Sequence, residues 1–200
     1  MIGILLFSVG VMYTPGPVNI LSLNTGVQKK FMSVVPFSLG VATSMFFWFL
    51  LVGYAGSAIV NEAALPYISA MGVLFTLYLA YKILSSHTDV TGNGGSAFSL
   101  SYRDGLLLQL LNPKTFMVVL PVAAVQFPAA GIVGGQIAVW ALGLSLLGFG
   151  APLAYAAFGT TAARYVENAS CFKYFNIAMG VMLVAVAIDM AWRYIVPVLF

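Results

Sequence analysis

Residues 13–19 read Tyr13-Thr14-Pro15-Gly16-Pro17-Val18-Asn19 and lie in the middle of a charge-free run that covers residues 1–28. Each proline removes an amide donor and clashes with the preceding turn, so a continuous helix through this stretch is disfavoured. The surrounding run is nevertheless apolar and long enough to cross a bilayer core, which takes about 20 helical residues. The reading is a helix broken inside a membrane, either as a simple proline kink or as a break with a function. Carbonyls freed there are tolerated only where protein or a water-filled cavity satisfies them.

The whole composition agrees with a membrane setting. Of 200 residues, 62% are hydrophobic and 6% charged, with a mean hydropathy of +1.02, against about 25% charged in a soluble domain. So little charge cannot cover the surface of a soluble globule, and an all-α integral membrane protein in a lipid bilayer is expected. The 8 Lys and Arg residues stand singly or in one pair and make no phosphate-tracking stripe, which excludes nucleic acid as a partner. With a single cysteine, Cys171, and a single histidine, His87, neither an internal disulfide nor a four-ligand metal site can form. No metal and no cofactor is expected.

The charge-free runs predict six transmembrane helices, at about residues 1–28, 31–61, 63–81, 104–127, 132–160 and 173–195. The polar stretch Thr91-Gly92-Asn93-Gly94-Gly95-Ser96 is linker-like. It divides a single 1–200 domain into a first three-helix repeat, 1–85, a loop, 86–103, and a second three-helix repeat, 104–200. Lys29, Lys30, Lys82, Arg103, Arg164 and Lys173 flank the loops after the first, third and fifth spans, with Arg193 opposite. The positive-inside rule makes those loops cytoplasmic and both termini periplasmic. The first span has no basic n-region and no clear cleavage site, so it reads as a retained helix.

Three spans are an odd number, so the second repeat enters the membrane inverted relative to the first. Inverted repeats with discontinuous helices in corresponding positions, the substrate lying near the midplane, are a transporter architecture. The span matching the first is the fourth, which carries Gln109-Leu110-Leu111-Asn112-Pro113-Lys114-Thr115. Lys114 lies about ten residues into that span, roughly 15 Å deep at 1.5 Å per residue. A lysine there costs about 2.5–3.5 kcal/mol on insertion scales and should face a cavity or a partner. Its partners are open: carbonyls freed by Pro15, Pro17 or Pro113, the amides of Asn19 or Asn112, or an anionic substrate group. Lys114 would then either bind a ligand or tie the two broken helices together.

Other polar residues carry weaker signals. Asp104 is a candidate proton-coupling carboxylate, but Ser101-Tyr102-Arg103-Asp104 also reads as a capping box. Asp189 and Arg193, spaced i, i+4, suit an ion pair near the outer interface. Glu62 reads as a solvated turn residue. The run Phe46-Phe47-Trp48-Phe49 points around its helix and is expected mostly to meet lipid. Gly148 to Pro152 is a candidate hinge in the fifth span. Glycine-rich helix faces would suit a homo-oligomer.

Thr14-Pro15-Gly16-Pro17, then Tyr102 and Gly105, then Asn112-Pro113-Lys114, at this separation and within six apolar spans, resemble the signatures of the LysE/RhtB amino-acid exporters of the lysine exporter superfamily. The resemblance covers the whole chain. It implies a secondary carrier of the bacterial inner membrane that exports amino acids or close derivatives in exchange for protons, by alternating access. Carried onto this chain, Thr14, Pro15, Gly16, Pro17, Asn19, Gln109, Asn112, Pro113 and Lys114 are the candidate substrate-binding residues, with Lys114 and Asp104 the candidates for proton coupling. Two positions depart from the family pattern. Val18 stands where an Asn commonly follows the Pro-Gly-Pro element, with Asn19 next, and Gln109 stands where Asn is frequent. An intramembrane enzyme would need a nucleophile with a base or a metal beside Lys114, which the chain does not offer. A non-transporting scaffold or a passive channel would give no concentrative efflux.

Overall fold

The computed structural model describes residues 1–56, 65–84, 99–163 and 169–196. Glu62, His87, Asp89 and Arg164 lie outside the described residues, as do most of the 86–103 loop and the side chains of Cys171, Lys173 and Arg193.

Among the described residues the chain is helical throughout. The charge-free run at the N-terminus forms α1 (Ile2–Met12) and α2 (Pro17–Val27), bent by 62° at the Pro-Gly-Pro element. Pro17 opens α2 at a first-turn position, where its missing N–H costs nothing. A short turn through Lys29 leads to α3 (Phe31–Ala55), and α4 (Leu65–Leu84) follows. The second broken unit consists of α5 (Tyr102–Leu110) and α6 (Pro113–Val119), running on through a π-helical stretch, Leu120–Gln126, into α7 (Phe127–Ala129). Here the bend is 70°. Gly131 and Gly134, with φ of +70° and +55°, make the turn into α8 (Gly135–Ala162), and α9 (Ala169–Tyr194) closes the described chain.

By length and apolarity α3 and α8 each cross a membrane alone, and the two bent pairs do so if each is one span. Among the described residues that makes two to four candidate crossings. At 20 and 26 residues, α4 and α9 are long enough for 30 Å at 1.5 Å per residue. Within α9 the stretch Ile177–Asp189 is apolar. The outer faces of the bundle are apolar, with Leu6, Val139 and Phe158 exposed at 69%, 70% and 68%. This is the surface of a protein solvated by lipid.

Two apolar cores occupy opposite halves of the bundle. One joins Met45, Phe49 and Val52 of α3, Phe116 and Val119 of α6, Phe127, and Ile137 and Leu144 of α8. The other joins Leu21 of α2, Val34, Phe37 and Val41 of α3, Leu108 of α5, Ala156 of α8 and Leu183 of α9. Thus α3 and α8 run unbroken through both cores, whereas each broken unit gives one half to each. The second core lies at the end that carries Lys29, Lys30 and Arg103. There the helices approach closely: a Cβ at Gly40 would overlap the Tyr102 carbonyl oxygen, and one at Gly26 would overlap that of Ala156.

Candidate functional site

Between the two cores lies a polar layer made by the breaks. Prolines 15, 17 and 113 each strip a carbonyl of its i+4 donor, and in each case a side chain takes over. The Thr14 hydroxyl donates to the Val11 carbonyl at 2.7 Å, the Tyr155 hydroxyl to Tyr13 at 2.9 Å, and the Thr115 hydroxyl to Gln109 at 2.8 Å. Asn19 donates its amide to the carbonyls of both Met12 and Thr14 at 2.9 Å. Asn112 caps α6 by accepting from the Lys114 amide at 3.0 Å. That diverts the Lys114 amide from the Leu110 carbonyl, which accepts instead from the Trp48 indole at 3.3 Å.

Lys114 reaches across from the second break to the first. Its ammonium donates to the Thr14 carbonyl at 2.7 Å and to that of Pro15 at 3.4 Å. Gly16 makes room for it, since a Cβ there would stand 3.1 Å from Lys114 Nζ.

Lys114 lines two cavities. The smaller, about 40 Å³, also touches Asn19, Gln109, Asn112 and Thr115, with Met45 and Pro152 on its apolar side. It has room for water but not for an amino acid. The larger, about 350 Å³, lies against Thr14, Pro15 and Pro17 and extends to Val186 and Asp189 of α9.

Eight of the nine residues singled out as candidate binders therefore line one or both cavities, Thr14, Pro15, Gly16, Pro17, Asn19, Gln109 and Asn112 with Lys114, and the ninth, Pro113, is the first residue of α6. Pro113 acts through the bend and is itself on neither wall. Asp104 is elsewhere. It completes the capping box at the start of α5, accepting from the Ser101 amide at 2.9 Å and hydroxyl at 2.7 Å, and lines neither cavity.

One sequence reading needs correction. Most of the Phe46–Phe49 run does not meet lipid: Phe47 is exposed, Phe49 is fully buried, and Trp48 packs edge-on against Phe116 with ring centroids 4.8 Å apart and serves the second break. The Gly148–Pro152 segment lies within one continuous helix, α8, and Gly148 and Pro152 line the smaller cavity. Lys114 shares the wall of the larger cavity with an acid, Asp189. Tyr155 and Trp48 were not legible as site residues, since an aromatic hydroxyl or indole in an apolar span has no local pattern tying it to a distant carbonyl. Among the described residues, no three His, Cys, Asp or Glu side chains converge on a metal position.

A family model, LysE type translocator, matches residues 9–193 and so takes in both breaks. No curated protein and no solved structure matches the chain.

Proposed function

Because the chain belongs to the LysE type translocator family, we propose that it exports amino acids or close derivatives across the bacterial inner membrane, by alternating access and in antiport with protons. Membership by itself makes it a multi-pass membrane transporter of a small molecule, and not an enzyme. The observation that carries the finer reading is the reach of Lys114: a cation from one break is held on carbonyls of the other, 100 residues earlier, at the wall of two cavities. Two of its three ammonium protons are engaged by Thr14 and Pro15, which leaves one for a substrate carboxylate. In the proposed site the substrate's amino group meets the carbonyls and amides of the Thr14–Asn19 break and Asn112, with Gln109 and Thr115 completing the polar wall. Proton exchange falls on Lys114, and Asp104 acts as a helix cap.

The geometry also supports a six-span inverted repeat. The second long helix of each half passes unbroken through both cores, and each contributes an aromatic donor, Trp48 or Tyr155, to the break in the other half. In the proposed orientation the end with Lys29, Lys30 and Arg103 faces the cytoplasm. That end is closed by the tight helix contacts, and the larger cavity belongs to an outward-open state.

The test is mass spectrometry of medium and cytoplasm from cells expressing wild type or Lys114→Met at equal membrane levels, fed amino acids as dipeptides. One or a few amino acids should accumulate outside with wild type alone, and dissipating the proton gradient should stop it. Equal pools in both strains would favour a passive or scaffolding protein.

A further inference from the structure

Gln109 is 8% exposed, and its backbone carbonyl is taken by the Thr115 hydroxyl at 2.8 Å. Among the described residues its side-chain amide makes no hydrogen bond. Unlike the amide of Asn24, whose atoms are sealed off, that of Gln109 belongs to the wall of the smaller cavity, together with Thr115 and Lys114. The volume of about 40 Å³ has room for more than one water, each needing about 10–15 Å³ and two to four polar partners. The two ends of the Gln109 amide, a lone pair of the Thr115 hydroxyl and the third ammonium proton of Lys114 supply such partners. Among the described residues Lys114 is also the one ionisable group common to both cavity walls; Asp189 of α9 stands on the larger one alone. On the side of the basic end the smaller cavity is closed by Val18 and Val41. One turn further along the same face of α3 lies Ser38, fully buried, its hydroxyl without a hydrogen-bond partner among the described residues.

We propose that Gln109 positions, in the smaller cavity, the water through which Lys114 passes its proton toward the cytoplasmic end. Gln109 is then a positioning residue for proton antiport. The coupled proton reaches Lys114 from water in the larger cavity and leaves by the smaller one, so the lysine stands between two water-filled spaces. With no substrate carboxylate present, its third ammonium proton turns to the water held by Gln109. The N–H bond breaks with its electron pair left on Nζ, the proton joins a lone pair of the water oxygen, and a proton of that water passes to the next one as the inner end opens. An apolar side chain at position 109 would leave the water too few partners, and small apolar cavities stay dry. Lys114 would then have no acceptor on that side. The proposal rests on the antiport reading, because it presupposes that Lys114 carries the coupled proton.

The experiment uses purified full-length protein in proteoliposomes, with a mixture of the common L-amino acids as the probe. Mass spectrometry reads two rates: counterflow, in which labelled amino acids exchange for unlabelled ones with no net proton movement, and efflux driven by an imposed pH gradient. Gln109→Leu should lower the ratio of driven efflux to counterflow at least about tenfold, as expected when a proton transfer loses its acceptor. Gln109→Asn, which keeps an amide on the wall, should restore most of that ratio. If Gln109→Leu is folded and its two rates fall together, or neither falls, the residue only packs or touches substrate; the assignment is overturned while the antiport reading stands. If wild type shows counterflow that a pH gradient does not drive, the antiport reading falls and the proposal with it. If wild type moves no amino acid, the exporter reading falls as well. Should Gln109→Leu fail to fold, Ala151→Val decides by the same ratio, since it adds two methyl groups to the cavity wall from α8: a lowered ratio supports the water route, and an unchanged one overturns it.

Discussion

Asn19 is 4% exposed and spends its amide on two carbonyls of the break that precedes it, so it is a part of the backbone's hydrogen bonding as much as a polar side chain. Tyr155 has the same relation to the Tyr13 carbonyl from a helix more than a hundred residues away. An unpaired carbonyl in an apolar interior costs about 1–3 kcal/mol by mutational measure. Tyr155→Phe should therefore lower stability by about that amount, read as an earlier thermal transition in detergent, with the helical content unchanged. A transition at the wild-type temperature would mean that water already reaches the Tyr13 carbonyl.

At the scale of elements, the two broken units differ in how their helices start. Pro17 begins α2 behind an extended Gly16 with no side-chain cap, whereas both α5 and α6 begin with one, Ser101 and Asn112. The α5 cap is reciprocal: Ser101 Oγ accepts from the Asp104 amide at 3.3 Å while the Asp104 carboxylate accepts from Ser101. A residue engaged in this way at an exposed helix end is suited to holding α5 and has no contact with the cavities. Asp104→Asn should cost less than about 1 kcal/mol, since Asn is itself a good partner for helix-terminal amides. Export by this variant should keep the wild-type dependence on the proton gradient. A transport rate that no longer responds to that gradient would move proton coupling from Lys114 to Asp104.

For the whole molecule, the polar groups buried at the end with the basic residues matter most. At the end with Lys29 and Arg103, Asn24 and Ser38 are fully buried, and among the described residues neither amide atom of Asn24 nor the Ser38 hydroxyl has a hydrogen-bond partner. Such groups are costly in a closed state. They make sense in the proposed cycle if that end opens and water reaches them when the substrate is loaded. Asn24→Leu, which keeps the number and branching of the side-chain heavy atoms, should stabilise the closed state by about 1–3 kcal/mol through removal of the unsatisfied amide. It should accordingly raise the melting temperature and slow export. A higher melting temperature with an unchanged export rate would argue that this end does not open during turnover.

Composition alone determined the solvent of this protein, because 6% charged residues cannot hydrate a surface of this size. Proline positions determined where the helices break, since a missing amide and a ring clash act within one turn and need no partner. The lysine in the second broken unit was legible for the same reason: its cost depends on depth along one helix. What the local pattern could not reveal was which groups meet at the breaks. Trp48, Tyr155 and Asp189 reach the polar layer from other helices, and their role depends on how α3, α8 and α9 are rotated about their axes. In an apolar helix that rotation is set by packing of small and large side chains across the bundle, not by a contrast between a polar and an apolar face. Tertiary structure therefore decided the partners of Lys114, the shape of the two cavities and the acid on the wall of the larger one.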